Sequence, residues 1–357
     1  MNLIFDCRFI RPDHHDGISR FSSELFQAVS KLVPTTALVS DMRQLRFLPE
    51  GVNYILGNNP TNGLKELFIA RVLNKSQPTH VFSPMQTMGS WGKNYKLVLT
   101  LHDLIYYKHK TAPPALPLHV RIAWRLYHLN FWAVRLLLNR ADAVVTVSNT
   151  SKKLIESSKL TVRPVHVIYN APASNSSVHT AAEPKSVNGR KQLVYMGSFM
   201  QYKNVEVLIG AIKDLYDLEL VLLSKISPKR KQQLSTLAGV ASQRVRFLNG
   251  VSDQQYLDIL DGSFALVSAS RDEGFGIPLV EAMSRSIPVV VSDIPIFQEV
   301  AKEAGKYFDP SSAAQLVSLI RELQDPKVWA AASEQSYSRA GFFSWDDSAK
   351  ALLIALE

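Results

Sequence analysis

The segment RDEGFGIPLVEAMSRSIPVVVSD, residues 271–293, contains the patterns of a loop, a helix and a strand in close succession. Gly274 and Gly276 allow the backbone to turn tightly, because a residue without a Cβ accepts conformations that other residues avoid. Pro278 suits the first turn of a helix, where its missing N–H group costs nothing. The β-branched run at 288–292 is typical of a buried parallel strand. This order of elements predicts an α/β protein.

Two carboxylates flank the loop, with Glu273 before the helix and Glu281 about one turn into it. The free N–H groups at the start of such a helix attract an anion, so both carboxylates are expected near a phosphate site. Carboxylates are poor ligands for phosphate, but they accept hydrogen bonds from sugar hydroxyls. The segment therefore predicts a site for a sugar nucleotide.

Strand and helix patterns alternate along nearly the whole chain, in two series separated by residues 171–190. That segment is rich in Ala, Ser, Pro and Asn and has no periodicity, which is typical of a linker. The two series predict two doubly wound, Rossmann-like domains, with a ligand at the carboxyl ends of the strands facing a central cleft. The predicted strands are Leu3–Phe9, Ala37–Ser40, His80–Ser83, Leu97–Leu101, Ala143–Ser148, Val165–Tyr169, Gln192–Gly197, Glu219–Ser224, Val245–Leu248, Phe264–Ser268 and Pro288–Ser292.

Three further positions follow predicted strands and are candidates for the same site. Gly17 opens a helix after the first strand, where backbone N–H groups can approach phosphate, although a plain turn explains it as well. His102 ends a buried strand in TLHDL, and it either contacts a ligand or is a satisfied core histidine. Lys203 stands at the entry to a helix after a turn containing Gly197. It is a candidate ligand for a diphosphate, with a surface lysine as the alternative.

The composition indicates the size, the compartment and the solubility class expected of the protein. The chain of 357 residues is 46% apolar, long enough for two domains with ordinary cores. Cys7 is the only cysteine and lies in an apolar run, so we expect a buried thiol, no disulfide framework and a reducing compartment. The N-terminus has no basic segment before an apolar one, and no apolar run is long enough to span a membrane. We expect a cytoplasmic protein that is either free or peripheral on the inner face of the membrane.

The positive charge is confined to one half of the chain. Residues 1–170 carry 21 Lys and Arg against 10 Asp and Glu, whereas residues 171–357 carry 19 against 21. A net charge of +11 in the first half favours an anionic partner, although scattered charge is commonly a solvated surface. Nucleic acid is not expected, because aromatic residues interleaved on a known module are missing.

Two basic stretches of the first half are predicted to be amphipathic. Residues 117–140 are predicted to form one helix, with basic and apolar side chains on different faces, and residues 63–75 add Lys65, Arg71 and Lys75. Either both stretches pack on the N-terminal sheet and expose only their charges, or they dock on an anionic membrane surface. The basic face of 117–140 comprises Arg121, Arg125, His128, Trp132 and Arg135, and the apolar face comprises Leu118, Ile122, Leu126, Leu129, Ala133 and Leu136.

Several motifs are absent from the sequence. It contains neither a GxxxxGK[ST] loop nor a GxGxxG motif after the first strand, which disfavours P-loop nucleotidases and dinucleotide oxidoreductases. It also contains no Asp-x-Asp pair to hold a metal on a diphosphate. The cluster His14-His15-Asp16 could bind a metal, but adjacent side chains point apart, which favours a loop. We therefore expect no metal and no cofactor.

The sequence resembles the retaining GT-B glycosyltransferases of family 4, including bacterial α-mannosyltransferase-like members. The segment EGFGIPLVE matches the E-x7-E motif of that family, and the resemblance extends through YMGSFMQYKN, VTVSNTSKKLI, TLHDLIY and FFSWDDSAKALL over nearly the whole chain. It implies an acceptor-side domain at 1–170, a linker at 171–190 and a donor-binding domain at 191–341. It also implies a C-terminal helix within 342–357 that returns to the first domain.

The resemblance also implies roles for individual residues. Glu273 would contact hydroxyls of the donor sugar, Glu281 would hold the ribose, Lys203 would bind the diphosphate and His102 would lie beside the donor sugar. The remaining residues implied to approach the donor are Gly17, Ser198, Val251, Gly274, Phe275, Gly276 and Ile277.

Three residues depart from the pattern of the family. Ser198 replaces a common Arg, so that one charge at the phosphates is missing or supplied elsewhere. Ser286 replaces a common Gly, and Ala269 replaces a common Pro. None of the three removes a core contact to the donor.

The resulting prediction is a retaining, metal-independent transfer of a hexose from a nucleoside diphosphate sugar to a hydroxyl of a glycan or lipid-linked acceptor. By resemblance alone, the donor is GDP-mannose. The diphosphate would leave toward Lys203 and helix N-termini, and closure of the domains would exclude water. The alternatives are a sugar-nucleotide epimerase, a glycogen-synthase-like polymerase, or a non-catalytic GT-B binding subunit.

Overall fold

The computed structural model describes residues 1–13, 16–61, 63–112, 118–173, 186–187 and 189–357. His14 and His15 of the sequence cluster lie outside the described residues, as does most of the predicted linker at 171–190. The chain divides into two compact units, one formed by residues 1–170 with 344–357 and the other by residues 171–343.

The first unit is built on a parallel sheet of short, apolar strands. The central strand β1 is buried along its whole length, as expected for a strand covered by helices on both faces. In the described residues, the strands pair in the order β3-β2-β1-β4-β5-β6-β7. Their bounds are Leu3–Asp6 (β1), Thr35–Val39 (β2), Tyr54–Leu56 (β3), His80–Ser83 (β4), Lys96–Thr100 (β5), Ala143–Thr146 (β6) and Val165–Val167 (β7).

The order of this sheet reverses between β1 and β4. From β1 the chain first adds β2 and β3 on one side, and then returns to add β4 to β7 on the other. The loops after β1 and β4 therefore diverge and leave a crevice at the carboxyl edge. The helices of this part are Gly17–Ser30 (α1), Gly63–Glu66 (α2), Ile69–Leu73 (α3), Ile105–Lys108 (α4), Leu118–Tyr127 (α5), Trp132–Leu138 (α6) and Asn149–Ser157 (α7), with 3₁₀ turns at Met42–Phe47 and Asn74–Ser76.

The second unit repeats this plan. Within the described residues its parallel strands follow the order β11-β10-β9-β12-β13-β14, and a short strand, β8, pairs antiparallel with β9. The order reverses between β9 and β12, so the loops that follow these two strands flank the corresponding crevice. The strands are Ser186–Val187 (β8), Arg190–Tyr195 (β9), Leu218–Leu222 (β10), Val245–Phe247 (β11), Ala265–Ser268 (β12), Val289–Ser292 (β13) and Gly305–Phe308 (β14).

The helices of the second unit enclose an apolar core built around β9, β10 and β12, which includes the buried side chains of Leu193, Leu220 and Val267. The helices are Val205–Ile212 (α8), Pro228–Ala238 (α9), Asp253–Asp261 (α10), Ile277–Ser284 (α11), Pro295–Ala301 (α12), Ala313–Leu323 (α13) and Pro326–Ala340 (α14), with 3₁₀ turns at Gln201–Lys203, Gly239–Arg244 and Lys302–Ala304.

The last helix, Trp345–Leu356 (α15), packs on the first unit. The ring of Trp345 lies edge-on to Phe21 of α1, with ring centroids 6.1 Å apart. The hydroxyl of Ser348 donates a hydrogen bond to the carbonyl of Tyr169, at 2.7 Å. The predicted fold, with two Rossmann-like α/β domains and a C-terminal helix returning to the first, is confirmed in these elements.

Three strands were absent from the prediction: β8, which lies within residues 171–190 that were predicted to be a linker, and the edge strands β3 and β14. Strand β3 is partly exposed and only three residues long, and β14 is only partly buried in three of its four residues. Neither is the continuous buried apolar run by which the other parallel strands were recognised. Short edge strands owe their conformation to a neighbouring strand, which a local pattern does not reveal.

The single helix predicted over residues 117–140 is wrong in one respect, because the structure divides it into α5 and α6. Between them the side chain of Asn130 accepts a hydrogen bond from the backbone N–H of Trp132, at 2.9 Å. Such a side chain competes with the helical backbone and favours a turn and a new helix start. The break was not visible in the apolar periodicity, which continues across it.

Asn204 links three segments at the carboxyl edge of the second sheet. Its backbone is left-handed, with φ of 54°, and its side chain is buried. The side-chain amide donates to the carbonyls of Ala269, at 3.0 Å, and Pro310, at 2.6 Å. One side chain thus ties the loop after β9 to the segments that follow β12 and β14.

We expect Asn204→Ala to lower the free energy of unfolding by about 3 kcal/mol, since one buried and one partly buried carbonyl lose their donor and alanine disfavours the left-handed backbone. Asn249→Ala is the matched control, because Asn249 has a similar φ of 57° but is exposed and accepts one bond, from the N–H of Ile226. Asn249→Ala should lower the free energy of unfolding by about 1 kcal/mol. Urea unfolding of the full chain measures both, and equal losses would contradict the bridging role.

Candidate functional site

Lys203 is placed by the segment that follows β9. The segment turns at Gly197, whose N–H donates to the hydroxyl of Ser224, at 3.1 Å. A side chain at this position would start 2.7 Å from the hydroxyl of Tyr195, so the turn requires glycine. Burial raises the pKa of Tyr195, whose hydroxyl donates to the carbonyl of Ser198 at 2.7 Å. The chain then makes one 3₁₀ turn that ends at Lys203.

Glu273 is placed by the loop that follows β12. Its carboxylate forms an ion pair with the ammonium of Lys203, and both side chains are largely buried, with 15% and 13% of their surface exposed. The hydroxyl of Ser270 donates to the same carboxylate oxygen, at 2.9 Å. A cation and a hydrogen-bond acceptor thus meet where the two loops of the crevice approach each other.

Backbone contacts hold the two loops together. The N–H of Arg271 donates to the carbonyl of Tyr202, at 2.8 Å, beside the bridge made by Asn204. The ammonium of Lys203 also lies 5.3 Å from the centre of the Tyr202 ring, within range of a cation–π contact. The position of Lys203 relative to Glu273 is therefore set by several contacts in addition to their charges.

Glu281 is buried in α11 and its environment differs from that of Glu273. The hydroxyl of Tyr256 in α10 donates to Glu281 Oε2, at 2.8 Å. Helix α11 begins after Gly276, whose φ of 95° favours glycine, and no side chain caps this described end of the helix. A Cβ at Gly276 would also lie 3.1 Å from the ring of Phe297.

The other predicted donor residues of the second unit lie at the same edge of the sheet. Phe275 is buried, with its ring edge-on to Phe343 at 5.6 Å between centroids, and Ile277 begins α11. Val251 lies in the loop between β11 and α10 and is partly buried. Ser198 is exposed, so the position of the expected arginine faces solvent.

The first unit brings His102 and the start of α1 together. His102 Nε2 lies 2.8 Å from the carbonyl of Pro84, which identifies Nε2 as the protonated nitrogen. Burial lowers the pKa of His102, so the ring is neutral at pH 7. Its ring lies edge-on to Phe21, with centroids 5.2 Å apart, one turn beyond Gly17 at the beginning of α1. Asp16 caps that helix by accepting from the N–H of Ser19, at 2.9 Å.

Three residues of these clusters were not predicted from the sequence. Ser270 contacts Glu273, Asn204 fixes the segment after Lys203, and Tyr256 contacts Glu281. Ser270 and Asn204 lie within three residues of a predicted site residue, so proximity could have suggested them. Tyr256 lies 25 residues from Glu281, and no sequence signal connects the two.

The structure shows the local roles of two residues that depart from the family pattern, Ser286 and Ala269. Ser286 has a left-handed backbone, with φ of 61°, which explains why glycine suits this position. Its carbonyl accepts a hydrogen bond from the hydroxyl of Ser333, at 2.6 Å. Ala269 supplies a carbonyl to Asn204.

Two family models match the chain in succession. The family described as Glycosyltransferase Family 4 matches residues 38–171, and the one described as Glycosyl transferases group 1 matches residues 180–339. The chain belongs to the GT-B glycosyltransferases of family 4. The family resemblance inferred from the sequence motifs is thereby confirmed.

Curated relatives of this glycosyltransferase match parts of it. It is 32% identical over 116 residues, 31% of the chain, to the serotype-specific mannosyltransferase WbdA of Escherichia coli. It is 29% identical over 195 residues, 54% of the chain, to the O-antigen chain mannosyltransferase RfbU of Salmonella typhimurium. The matched regions span 14% of WbdA and 53% of RfbU, so the chain covers a small part of one relative and about half of the other.

A solved structure shows the same fold over the whole length. HepE of Anabaena, in complex with UDP and glucose, superposes with a TM-score of 0.74 at 17% identity, over 100% of this chain and 99% of HepE. At that identity the similarity establishes the fold alone.

Proposed function

We propose that this glycosyltransferase moves a hexose from a nucleoside diphosphate sugar to a hydroxyl of a glycan or lipid-linked acceptor, with retention of configuration and without a metal ion. The observation that carries the proposal is the contact between Lys203 and Glu273 at the reversal point of the second sheet. It joins a cation suited to a diphosphate with an acceptor suited to sugar hydroxyls.

In this reaction the bond from the anomeric carbon to the diphosphate breaks and the acceptor oxygen bonds to the same face of that carbon. The leaving phosphate takes the proton of the acceptor hydroxyl. Lys203 stabilises the charge that develops on the diphosphate, which is the contribution expected of a fixed cation in a largely buried site. Glu273 orients the sugar by accepting from its hydroxyls, and Glu281 accepts from the ribose.

We propose mannose, carried by GDP, as the donor group, because two of the matched relatives are named mannosyltransferases. HepE is described with UDP and glucose, so UDP-sugars belong in the same test. A panel of UDP-, GDP- and ADP-sugars should contain one donor that raises the melting temperature and is slowly hydrolysed. Release of an epimerised sugar nucleotide, or binding without any turnover, would favour the epimerase or the non-catalytic subunit instead.

Glu281→Ala should weaken the binding of the free nucleoside diphosphate by roughly 10- to 100-fold, because a carboxylate that accepts from two ribose hydroxyls contributes to every bound state. Glu273→Ala should lower turnover by about 100-fold and leave that binding nearly unchanged. Calorimetric titration and initial rates separate the two effects, with Glu322→Ala, an exposed glutamate of α13, as the control. Unchanged nucleotide affinity in Glu281→Ala would contradict its assignment to the ribose.

Lys203→Ala should lower kcat by roughly 100- to 1000-fold, equivalent to about 3 kcal/mol of transition-state stabilisation. Lys213→Ala is the matched control, since Lys213 is exposed at the opposite end of the helix that Lys203 precedes. A chelator should change the wild-type rate little. Activity that is abolished by a chelator and restored by a divalent ion would overturn the metal-independent mechanism.

We further propose that the first unit docks on an anionic membrane surface. Of the two alternatives for residues 117–140, packing of the apolar side chains on the sheet is not supported, because large apolar side chains of α5, α6 and the turn between them have between 43% and 71% of their surface accessible. We call them the exposed apolar face; its members are Leu118, Ile122, Leu126, Leu129 and Leu136 of the predicted apolar face, together with Trp132, which was predicted on the basic face.

Helix α5 packs on the unit through its other face. Trp124 lies edge-on to Tyr106, with ring centroids 5.1 Å apart, and its ring is tilted against the ring of His128, with centroids 4.1 Å apart. His128 also contacts Tyr107, at 4.9 Å. Because aromatic residues supply the inward contacts, the outward apolar residues are not needed to hold the helix in place.

A second exposed apolar group carries positive charge. Phe68 and Trp91 stack with ring centroids 5.8 Å apart, and the guanidinium of Arg71 lies 5.1 Å from the Phe68 ring. Lys65 and Lys75 are exposed on the same short helical stretch. Apolar and aromatic side chains suit the interface of a bilayer, and each nearby basic residue contributes about 1 kcal/mol on anionic lipid. No helix of the described residues is long and apolar enough to cross a bilayer.

The wild-type protein should sediment with vesicles of phosphatidylcholine and phosphatidylglycerol, but less with phosphatidylcholine alone, and raised salt should weaken the binding. Charge reversal at Lys65, Arg71 and Lys75 should lower the partition coefficient at least 100-fold, from roughly 1 kcal/mol per charge.

Replacing Leu126 and Trp132 together by Gln should also release the protein from the vesicles. Val162→Gln is the matched control, because Val162 is 89% exposed in the same unit but lies outside both apolar groups. Equal recovery with neutral and anionic vesicles at low salt would indicate a soluble acceptor and no membrane docking.

A further inference from the structure

The hydrogen bond from Tyr256 to Glu281 joins two buried polar groups. Tyr256 is 3% exposed and Glu281 is 5% exposed. The hydroxyl of Tyr256 lies 2.8 Å from Glu281 Oε2, a normal length for a hydroxyl donating to a carboxylate. A helix that only packs against its neighbour has no need of a hydroxyl at this position, since phenylalanine would fill the same volume.

A second polar contact lies about one turn further along the same two helices. The guanidinium of Arg285, next to the end of α11, forms a two-pronged ion pair with the carboxylate of Asp261 at the end of α10. The order of the two contacts means that α10 and α11 run side by side in the same direction. Glu281 therefore lies on a pair of helices that are joined both by its own bond to Tyr256 and by the ion pair between Asp261 and Arg285.

The beginning of α10 is fixed as well. Ser252 and Gln255 form a capping box, in which each side chain bonds the backbone of the other. Val251, a predicted donor contact, immediately precedes this cap, and Tyr256 follows it by one turn. Helix α10 thus fixes two positions. It anchors the loop that contains Val251, and it holds Tyr256, which contacts Glu281.

From this geometry we infer that Tyr256 is a positioning residue that holds Glu281 in the orientation required to bind the two ribose hydroxyls of the nucleotide. The inference rests on the proposed function of Glu281. A carboxylate has about four lone-pair directions, so the bond from Tyr256 does not by itself saturate Glu281. The bond also limits rotation of the carboxylate, which reduces the entropy lost when the nucleotide binds.

The test is a titration of the full chain with GDP or UDP, whichever the wild-type protein binds more tightly, and with its 2′,3′-dideoxy analogue. Tyr256→Phe should bind the ribonucleotide about tenfold more weakly, the effect of losing one bond to a charged group. It should bind the dideoxy analogue as the wild type does. In the background of Glu281→Gln, which separately tests the carboxylate, Tyr256→Phe should cause less than a twofold further change.

Asp261→Asn is the control for packing of the helix pair. It should lower the melting temperature and leave the ratio of affinities for the two nucleotides unchanged. An equal loss of both nucleotides in Tyr256→Phe, or no loss of either, would overturn the positioning role. Failure of the wild type to bind any nucleoside diphosphate would instead overturn the proposed function, and the inference with it.

Discussion

The reversal of strand order in the second sheet is the constraint on which the candidate site depends. Parallel strands deliver their loops to one edge, and only at the reversal do neighbouring loops leave in opposite directions. Lys203 follows β9 and Glu273 follows β12, the two strands on either side of that reversal. Residues 70 positions apart are thus brought into contact by the topology of the sheet, and Asn204 keeps the two loops in register.

The ion pair is not explained by stability. Two charges that are largely removed from water lose much of their hydration, and their attraction commonly repays no more than this loss. Ser270 and the ring of Tyr202 supply further contacts that compensate part of the cost. The arrangement is more readily explained by its chemistry, because a cation and an acceptor held ready at one point need little rearrangement when a charged ligand arrives.

The sequence predicted the architecture because most of the strands are continuous runs of buried Val, Ile and Leu, whose pattern is local. It missed β3 and β14, which are short and only partly buried, and β8, a strand of two residues within the predicted linker. It also missed the break at Asn130, where a side-chain hydrogen bond overrides an uninterrupted apolar period. The pairing of Lys203 with Glu273 follows from two predicted strands and the rule for parallel sheets. The contact between Tyr256 and Glu281 could not be predicted, since it depends on how two helices pack sideways.

In the first unit, the sequence pattern identified an apolar face but left open whether that face turns inward or outward. The apolar face of residues 117–140 was recognisable from its spacing, and an apolar face ordinarily turns inward to a core. The inward contacts are made by Trp124 of α5 and by His128, which directly follows that helix; their rings pack on Tyr106 and Tyr107. Large apolar side chains exposed in a row are costly in water unless another surface covers them. The +11 charge of residues 1–170 is the charge that the proposed docking on an anionic surface would use.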